Sequence, residues 1–294
     1  MEVSGVNGGY LQLPNQGLYK KRSNMNNEHD LHKYLETAVI AAREAGSLQR
    51  EKLWSELAID FKGETNLVTE VDRACEELIV TTLRSKYPES DILAEEECYT
   101  SFSSNLKWII DPLDGTTNYA HGFPWFCVSI ALEIDGELRL GVIYHPMMNE
   151  LFTTLKGVGA FLNGSRLKVS SRQPLKSCLL ATGFPYDKTR YNENNFAQFV
   201  NFQLSARAVR RAGAAALDLA YVAAGRLDGY WECKIKPWDI AAGKLLVEEA
   251  GGRVTGYSGE PSSLYDHRIL ASNGFIHGEM VELLSSTDRF PATV

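Results

Sequence analysis

The residue order predicts a layered α/β protein, and three observations carry that reading. Two helix patterns come first, a run of short apolar segments follows, and after Ser171 strand and helix patterns alternate. Helices, then a largely antiparallel sheet, then an α/β half give stacked layers rather than a bundle or a sandwich.

In the first helix Leu31, Leu35, Ala38, Val39, Ala42 and Ala45 recur at helical spacing, with Asp30 available as N-cap. The second gathers Val71, Cys75, Leu78, Ile79 and Leu83, and Pro88 closes it. The apolar runs Ile92-Leu93, Trp108 to Ile110, Cys127 to Ile134, Leu138 to Tyr144 and Leu151 to Leu155 read as strands. Asp135-Gly136 between two of them is a hairpin signal. Gly213 to Ala224 reads as an Ala-rich helix. Pro237 to Ala250 reads as another, with Pro near its start and Gly251 just past its end.

The 294 residues are 44% hydrophobic and 23% charged, an ordinary globular composition that can bury a core without staples. Thirty Lys and Arg against 37 Asp and Glu leave a net charge of −7. That argues against nucleic acid as a partner and leaves an anionic small-molecule substrate open. Cys75, Cys98, Cys127, Cys178 and Cys233 are scattered with no C-x-x-C, so neither a disulfide framework nor a zinc ribbon is expected, and a cytoplasmic location is the default. No stretch approaches about 18 consecutive apolar residues, so no membrane-spanning helix is expected. Residues 1–28 are expected to be a disordered extension, rich in Gly and Asn and carrying Lys20, Lys21 and Arg22. Met25 is an alternative start, and a transit peptide is a weak rival. Residues 29–173 form an N-terminal α+β half and 174–290 a C-terminal α/β half.

Acidic residues concentrate at the ends of the short strands. Ile92-Leu93-Ala94 runs into Glu95-Glu96-Glu97, and Trp108-Ile109-Ile110 runs into Asp111-Pro112-Leu113-Asp114-Gly115-Thr116-Thr117. Lys236-Pro237-Trp238-Asp239 opens a later helix. Carboxylates just past buried strands suit hard, oxygen-preferring cations. Pro112 bars Asp111 and Asp114 from one regular helix, so the segment is expected to be a turn aiming both carboxylates and the Leu113 carbonyl into one pocket. Singly, each piece has an ordinary explanation: turn chemistry, a solvated Glu face, a helix start. Together they differ. If Glu95, Asp111, Asp114 and Asp239 converge to about 5 Å, each pair repels by roughly 3 kcal/mol at an effective dielectric near 20. Such a cluster calls for cations or protonation, and convergence predicts a bound divalent metal, Mg²⁺ first.

The segment WIIDPLDGTTNY from Trp108 to Tyr119, Glu95-Glu96 before it, and WDIAAGKLLVEEAGG from Trp238 to Gly252 closely resemble the inositol monophosphatase family. Asn66-Leu67-Val68-Thr69 before Asp72, and Lys156 to Phe161 with Asn163-Gly164, extend the resemblance from about His29 to Glu282. It implies a sugar-phosphatase fold of alternating α-β-α-β-α layers and Mg²⁺-dependent hydrolysis of a phosphate monoester without a covalent intermediate. It further implies two to three Mg²⁺ ions: Glu95, Asp111 and the Leu113 carbonyl at the first, Asp111, Asp114 and Asp239 at the second, Glu95 at a weaker third. Thr116, paired with Asp72, would orient the attacking water, and the Gly115 and Thr116 amides would cradle phosphate. Gly213, Ala215 and Glu232 would line the substrate pocket, Glu232 meeting sugar hydroxyls alongside Asp114. Lys62 is a candidate near the third metal and equally an exposed loop lysine. Arg210 and Arg211 are candidates for substrate or a neighbouring subunit, and equally a solvated pair. Ala94 stands where animal members carry Gly, and Arg210 to Asp218 resembles the bacterial and archaeal branch.

A haloacid-dehalogenase-type phosphatase is the nearest rival, but Pro112 stands where its nucleophilic Asp belongs. No zinc spacing, G-x-S-x-G elbow or Walker loop occurs. Within the resemblance the substrate is a small phosphate monoester. Inositol monophosphate leads, with fructose 1,6-bisphosphate, histidinol phosphate or a nucleotide 3′-phosphate as alternatives, and a non-catalytic sugar-phosphate-binding regulator as the rival class. The family implies a homodimer, and lithium inhibition follows if a weakly held Mg²⁺ is replaceable.

Overall fold

The computed structural model describes residues 25–55, 59–62, 66–99 and 104–285. Its order is α1 (Met25–Lys52), β1 (Ile59–Lys62), β2 (Asn66–Thr69), α2 (Glu70–Lys86), β3 (Asp91–Ala94), β4 (Cys98–Tyr99), β5 (Leu106–Asp114) and α3 (Thr116–Ala120). A meander follows: β6 (Cys127–Ile134), β7 (Glu137–His145), β8 (Glu150–Leu155), β9 (Gly159–Leu162) and β10 (Ser165–Arg166). Then come β11 (Leu179–Thr182), α4 (Phe196–Ser205), β12 (Ala208–Arg210), α5 (Ala215–Ala223), β13 (Gly229–Cys233), α6 (Pro237–Glu249), β14 (Arg253–Thr255), β15 (Arg268–Ser272) and α7 (His277–Ser285).

The described strands form an eight-stranded sheet, order β10-β9-β8-β7-β6-β5-β3-β4, a five-stranded sheet, order β12-β11-β13-β15-β14, and the pair β1-β2. In the large sheet only β3 and β5 run parallel, which is the largely antiparallel half expected from the apolar runs. Strand periodicity sorts the core. Trp108 and Ile110 of β5 pack with Ala38, Ala42, Ile79 and Leu83 of α1 and α2, whereas Ile109 between them packs with Leu217, Ala242 and Leu246 of α5 and α6. On the small sheet Tyr230 joins that middle layer, and Trp231 packs outward with Phe202 of α4 and Met280 of α7. Five layers result, α1/α2, sheet, α5/α6, sheet, α4/α7. Each fully buried Leu, Ile or Phe contributes about 1.5–3 kcal/mol by leaving water.

Local chemistry explains the joints. Asp135 (φ 54°) and Gly136 (φ 78°) give the paired positive dihedrals of a tight hairpin between β6 and β7. Pro237 starts α6 and Gly251 (φ 88°) ends it. Three expectations shift. Helix α1 begins at Met25, because no Gly or Pro separates Met25 from Asp30; Asp30 is therefore inside the helix, near the Lys33 ammonium at 3.4 Å, not its cap. Residues 25–28, read as extension, are helical, while the remainder of that extension lies outside the described residues. Helix α5 starts at Ala215 rather than Gly213, which takes φ 92° ahead of it. Strands β1, β2, β4, β9 and β10 carry too little apolar pattern to be read from sequence.

At the far end, His277 ties α7 to the small sheet. Its Nδ1 lies 2.8 Å from Ser272 Oγ and its Nε2 2.9 Å from Thr255 Oγ1, all buried. Burial, helped by Arg253, lowers its pKa from 6.5 to about 4. The unfolded chain therefore takes up the proton first as pH falls, and the stability that neutral His277 supplies is lost between about pH 6.5 and 4. The depression corresponds to about 3 kcal/mol. We expect His277→Gln to be less stable than the parent at pH 7 and the gap to close by pH 4.5, read from urea midpoints at the two pH values.

Candidate active site

Strand β5 does not end in a turn. It continues through Asp114, with a register shift in which Asp111 pairs with Ser129 and Asp114 with Cys127, one extra residue on the β5 side. Pro112 lacks the N–H a regular ladder would use, and the bulge absorbs it. The Asp111 Oδ1 accepts from the Leu113 amide at 3.0 Å, and the freed Pro112 carbonyl accepts from Gln49 Nε2 of α1 at 2.8 Å. The bulge brings Asp111 and Asp114 to one end of the sheet, the outcome expected of a turn by a different backbone route.

Gly115 (φ 100°) then turns the chain into α3, and a Cβ there would lie 2.9 Å from the Trp125 carbonyl. Thr116 opens α3; its hydroxyl is 2.9 Å from Asp72 Oδ1 and 3.1 Å from the Leu113 carbonyl. Asp72 is fully buried on the first turn of α2, where its other oxygen accepts from the Thr69 amide (2.8 Å) and hydroxyl (2.5 Å) in a capping box. Thr116 and Asp72, 44 positions apart, are thus a hydrogen-bonded pair.

Asp239 sits on the first turn of α6, with Oδ2 accepting from the Lys236 amide at 2.8 Å. The Ala216 amide at the start of α5 donates to Asp114 Oδ2 at 2.7 Å, and the Ala215 amide also faces that carboxylate. Burial first, then Glu95 and Asp114, hold Asp111 and Asp239 well above the usual carboxylate range. Burial also lifts Asp114 to about 7. Glu95, just past β3, is felt by all three. Among the described residues no three His, Cys, Asp or Glu side chains are gathered tightly enough to hold a metal ion, and three of the acids each accept a hydrogen bond from a backbone amide. The donor set is nevertheless all oxygen, with Asp111 and Asp114 buried and Glu95 and Asp239 partly exposed, which fits a hard divalent cation.

Glu232, on β13, is pushed up to about 7 by burial, against the Tyr230 hydroxyl and the Arg211 guanidinium, which favour its anion. Gly213 lies beneath Arg211 Nη1 and the Asn118 amide, which ties α3 to this loop through the Ala212 carbonyl at 2.9 Å. Arg210 and Arg211 are exposed, and among the described residues Arg210 reaches the Val209 carbonyl at 3.4 Å. Lys62 ends β1, opposite Asn66.

Sequence reasoning missed the residues that hold this set from behind. Gln49 continues the α1 apolar stripe four positions after Ala45, where an amide is out of place unless it has a buried partner. Glu76 is a buried acid on the core face of α2; its two oxygens accept from the amides of Glu96 and Glu97, each at 2.9 Å, and so fix the loop that carries Glu95. Cys127 is 3.8 Å from Asp114 Oδ2. Tyr186, half-exposed and hydrogen-bonded to the Thr117 side chain, lies near Glu95, Asp114 and Asp239; loss of water around its hydroxyl, then those acids, pushes its pKa up to about 12.

The profile of the inositol monophosphatase family matches residues 30–289. An inositol-1-monophosphatase from a Synechocystis species is 44% identical over 264 residues, covering 89% of this chain and 92% of its own length. A protein named Nus factor SuhB from Escherichia coli is 44% identical over 247 residues, covering 83% of this chain and 92% of its own. The solved structure of inositol monophosphatase from an Anabaena (Nostoc) species superposes with a TM-score of 0.80 at 43% identity, over 87% of this chain and 96% of that one. With its five-layer fold and its acids at the ends of β3, β5 and the start of α6, the chain belongs to the inositol monophosphatase family.

Proposed function

We propose that the chain is a Mg²⁺-dependent phosphomonoester hydrolase that acts on inositol monophosphate by direct attack of water. The observation that carries this reading is the set Asp111, Asp114 and Asp239, whose proton affinities are raised by burial and mutual repulsion beside the Thr116–Asp72 pair. Glu95, Asp111 and the Leu113 carbonyl would hold one cation, Asp111, Asp114 and Asp239 a second, and Glu95 would assist a third. Bound there, Mg²⁺ lowers the pKa of water and offsets charge on the departing alkoxide.

The chain's own groups do the rest. The Thr116 hydroxyl donates its hydrogen bond to Asp72, which leaves its oxygen to accept from a water and aim it. The amides of Gly115 and Thr116, at the positive end of α3, are placed for phosphate oxygens. Glu232 accepts from polyol hydroxyls, and Arg210, Arg211 and Lys62 are candidates for the outer rim. A second reading, a sugar-phosphate-binding regulator without turnover, is favoured by the likeness to a protein named as a Nus factor. Turnover separates the two.

Phosphate release from myo-inositol 1-phosphate is expected to require Mg²⁺ and to exceed release from fructose 1,6-bisphosphate, histidinol phosphate and adenosine 3′,5′-bisphosphate. Asp114→Asn should lower turnover at least ~100-fold with an unchanged circular dichroism spectrum, a loss suited to a transition-state charge partner. A rate within twofold of the parent contradicts the assignment.

A folded pKa above the unfolded one means these acids oppose folding at neutral pH, and the opposition fades as pH falls through the raised values. A bound cation removes it without acid. Asp239→Asn is therefore expected to raise the melting temperature of the chelator-treated protein and to lose most of the rise that Mg²⁺ gives the parent, measured by scanning calorimetry.

A further inference from the structure

The Glu232 carboxylate rests against the bare α-carbon of Gly183, so that a Cβ there would overlap both oxygens and Cδ. Gly183 is outside the positive-φ residues, so alanine suits its backbone and the demand for glycine is steric. Nor can the backbone retreat. Asn195 Nδ2 donates to the Gly183 carbonyl at 2.6 Å and to Thr182 Oγ1 at 2.8 Å, while its Oδ1 accepts from Trp231 Nε1 at 2.7 Å. Thr182 Oγ1 in turn donates to the Trp231 carbonyl at 2.5 Å, and Thr182, Asn195 and Trp231 are all buried. This lattice spans β11, β13 and the start of α4.

On its other side Glu232 is met by Tyr230, fully buried, whose hydroxyl donates to Oε2 at 2.5 Å. Burial and Glu232 itself hold the Tyr230 pKa well above its ordinary value, so the phenol keeps the proton it donates. One carboxylate oxygen is thereby committed. Among the described residues Oε1 has no hydrogen-bond partner, and Glu232 is only half-buried, so this oxygen is the one a ligand can reach. A carboxylate held on two sides with one oxygen spare recognises hydroxyl donors and repels a second anion.

Building on the phosphatase reading above, we propose that Gly183 and Tyr230 are positioning residues that fix Glu232 in one orientation for the hydroxyls of a polyol leaving group. The selectivity of this chain for polyhydroxy phosphate monoesters over featureless ones then resides in the Gly183–Glu232–Tyr230 contact rather than in the acids that meet the phosphate.

The test compares Mg²⁺-dependent hydrolysis of myo-inositol 1-phosphate with that of p-nitrophenyl phosphate, which offers no hydroxyls, for the unmodified chain, Gly183→Ala and Tyr230→Phe. For Gly183→Ala, kcat/KM on the inositol ester should fall about tenfold, chiefly through KM, the scale of one displaced charged hydrogen bond. Tyr230→Phe, which removes a hydroxyl without adding bulk, should show a smaller loss of the same kind. Both variants should keep the p-nitrophenyl phosphate rate within about twofold and melt within a few degrees of the parent. Equal losses on the two esters, or none on either, would overturn the positioning role while leaving the phosphatase reading intact. An unmodified chain that hydrolyses neither ester overturns both.

Discussion

Like charge gathered in a low-dielectric pocket is the constraint around which this protein is arranged. Asp111, Asp114 and Asp239 would each be ionised in water, yet burial and proximity raise the proton affinity of all three. The scaffold answers with backbone dipoles, at least one to each acid: the Leu113 amide to Asp111, the Ala216 amide to Asp114, the Lys236 amide to Asp239. Two of those amides belong to helix starts, α5 and α6, where the unsatisfied N–H groups carry partial positive charge. Partial charges hold the acids in place without neutralising them, and the residual demand for positive charge is what a divalent ion can meet.

Holding the acids draws on the outer α1/α2 layer as well as the middle one. From α1, Gln49 supports the β5 bulge through the Pro112 carbonyl; from α2, Glu76 and Asp72 brace the Glu95 loop and Thr116. From the middle layer come the amides on Asp114 and Asp239 itself. These supports are side chains locked in packed helices, so the geometry of the pocket is set by rigid elements and not by the loops at its rim.

The layered architecture was legible because its signals are local: helical spacing in α1 and α2, apolar runs in β5 to β8, Asp135-Gly136 between strands, Pro237 and Gly251 bracketing α6. The clustered acids were legible for related reasons: Glu95 and Asp111 follow apolar runs directly, and Asp239 opens a helix behind Pro237. What escaped depended on partners far along the chain. Whether Pro112 makes a turn or a bulge is decided by pairing with β6 and by Gln49, 63 positions earlier. Gln49 and Glu76 look like lapses in an apolar stripe until the carbonyl and amides they serve are placed opposite them. Asp30 shows the reverse error: a good capping residue is passed over when the residues before it are equally willing to be helical.

The central layer has a consequence for the order of assembly. Asp111 and Asp114 lie on a sheet strand, whereas Asp239 and the amides restraining Asp114 arrive with α6 and α5, which must slide between two sheets, the second of which is completed by β14 and β15, later still in sequence. A chain growing from its N-terminus therefore carries the first acids with water still beside them, where the repulsion between charges is weak. Crowding is imposed only as the middle layer closes. The electrostatic strain of the pocket is thus complete only in the finished fold, and a cation that relieves it acts on the native protein.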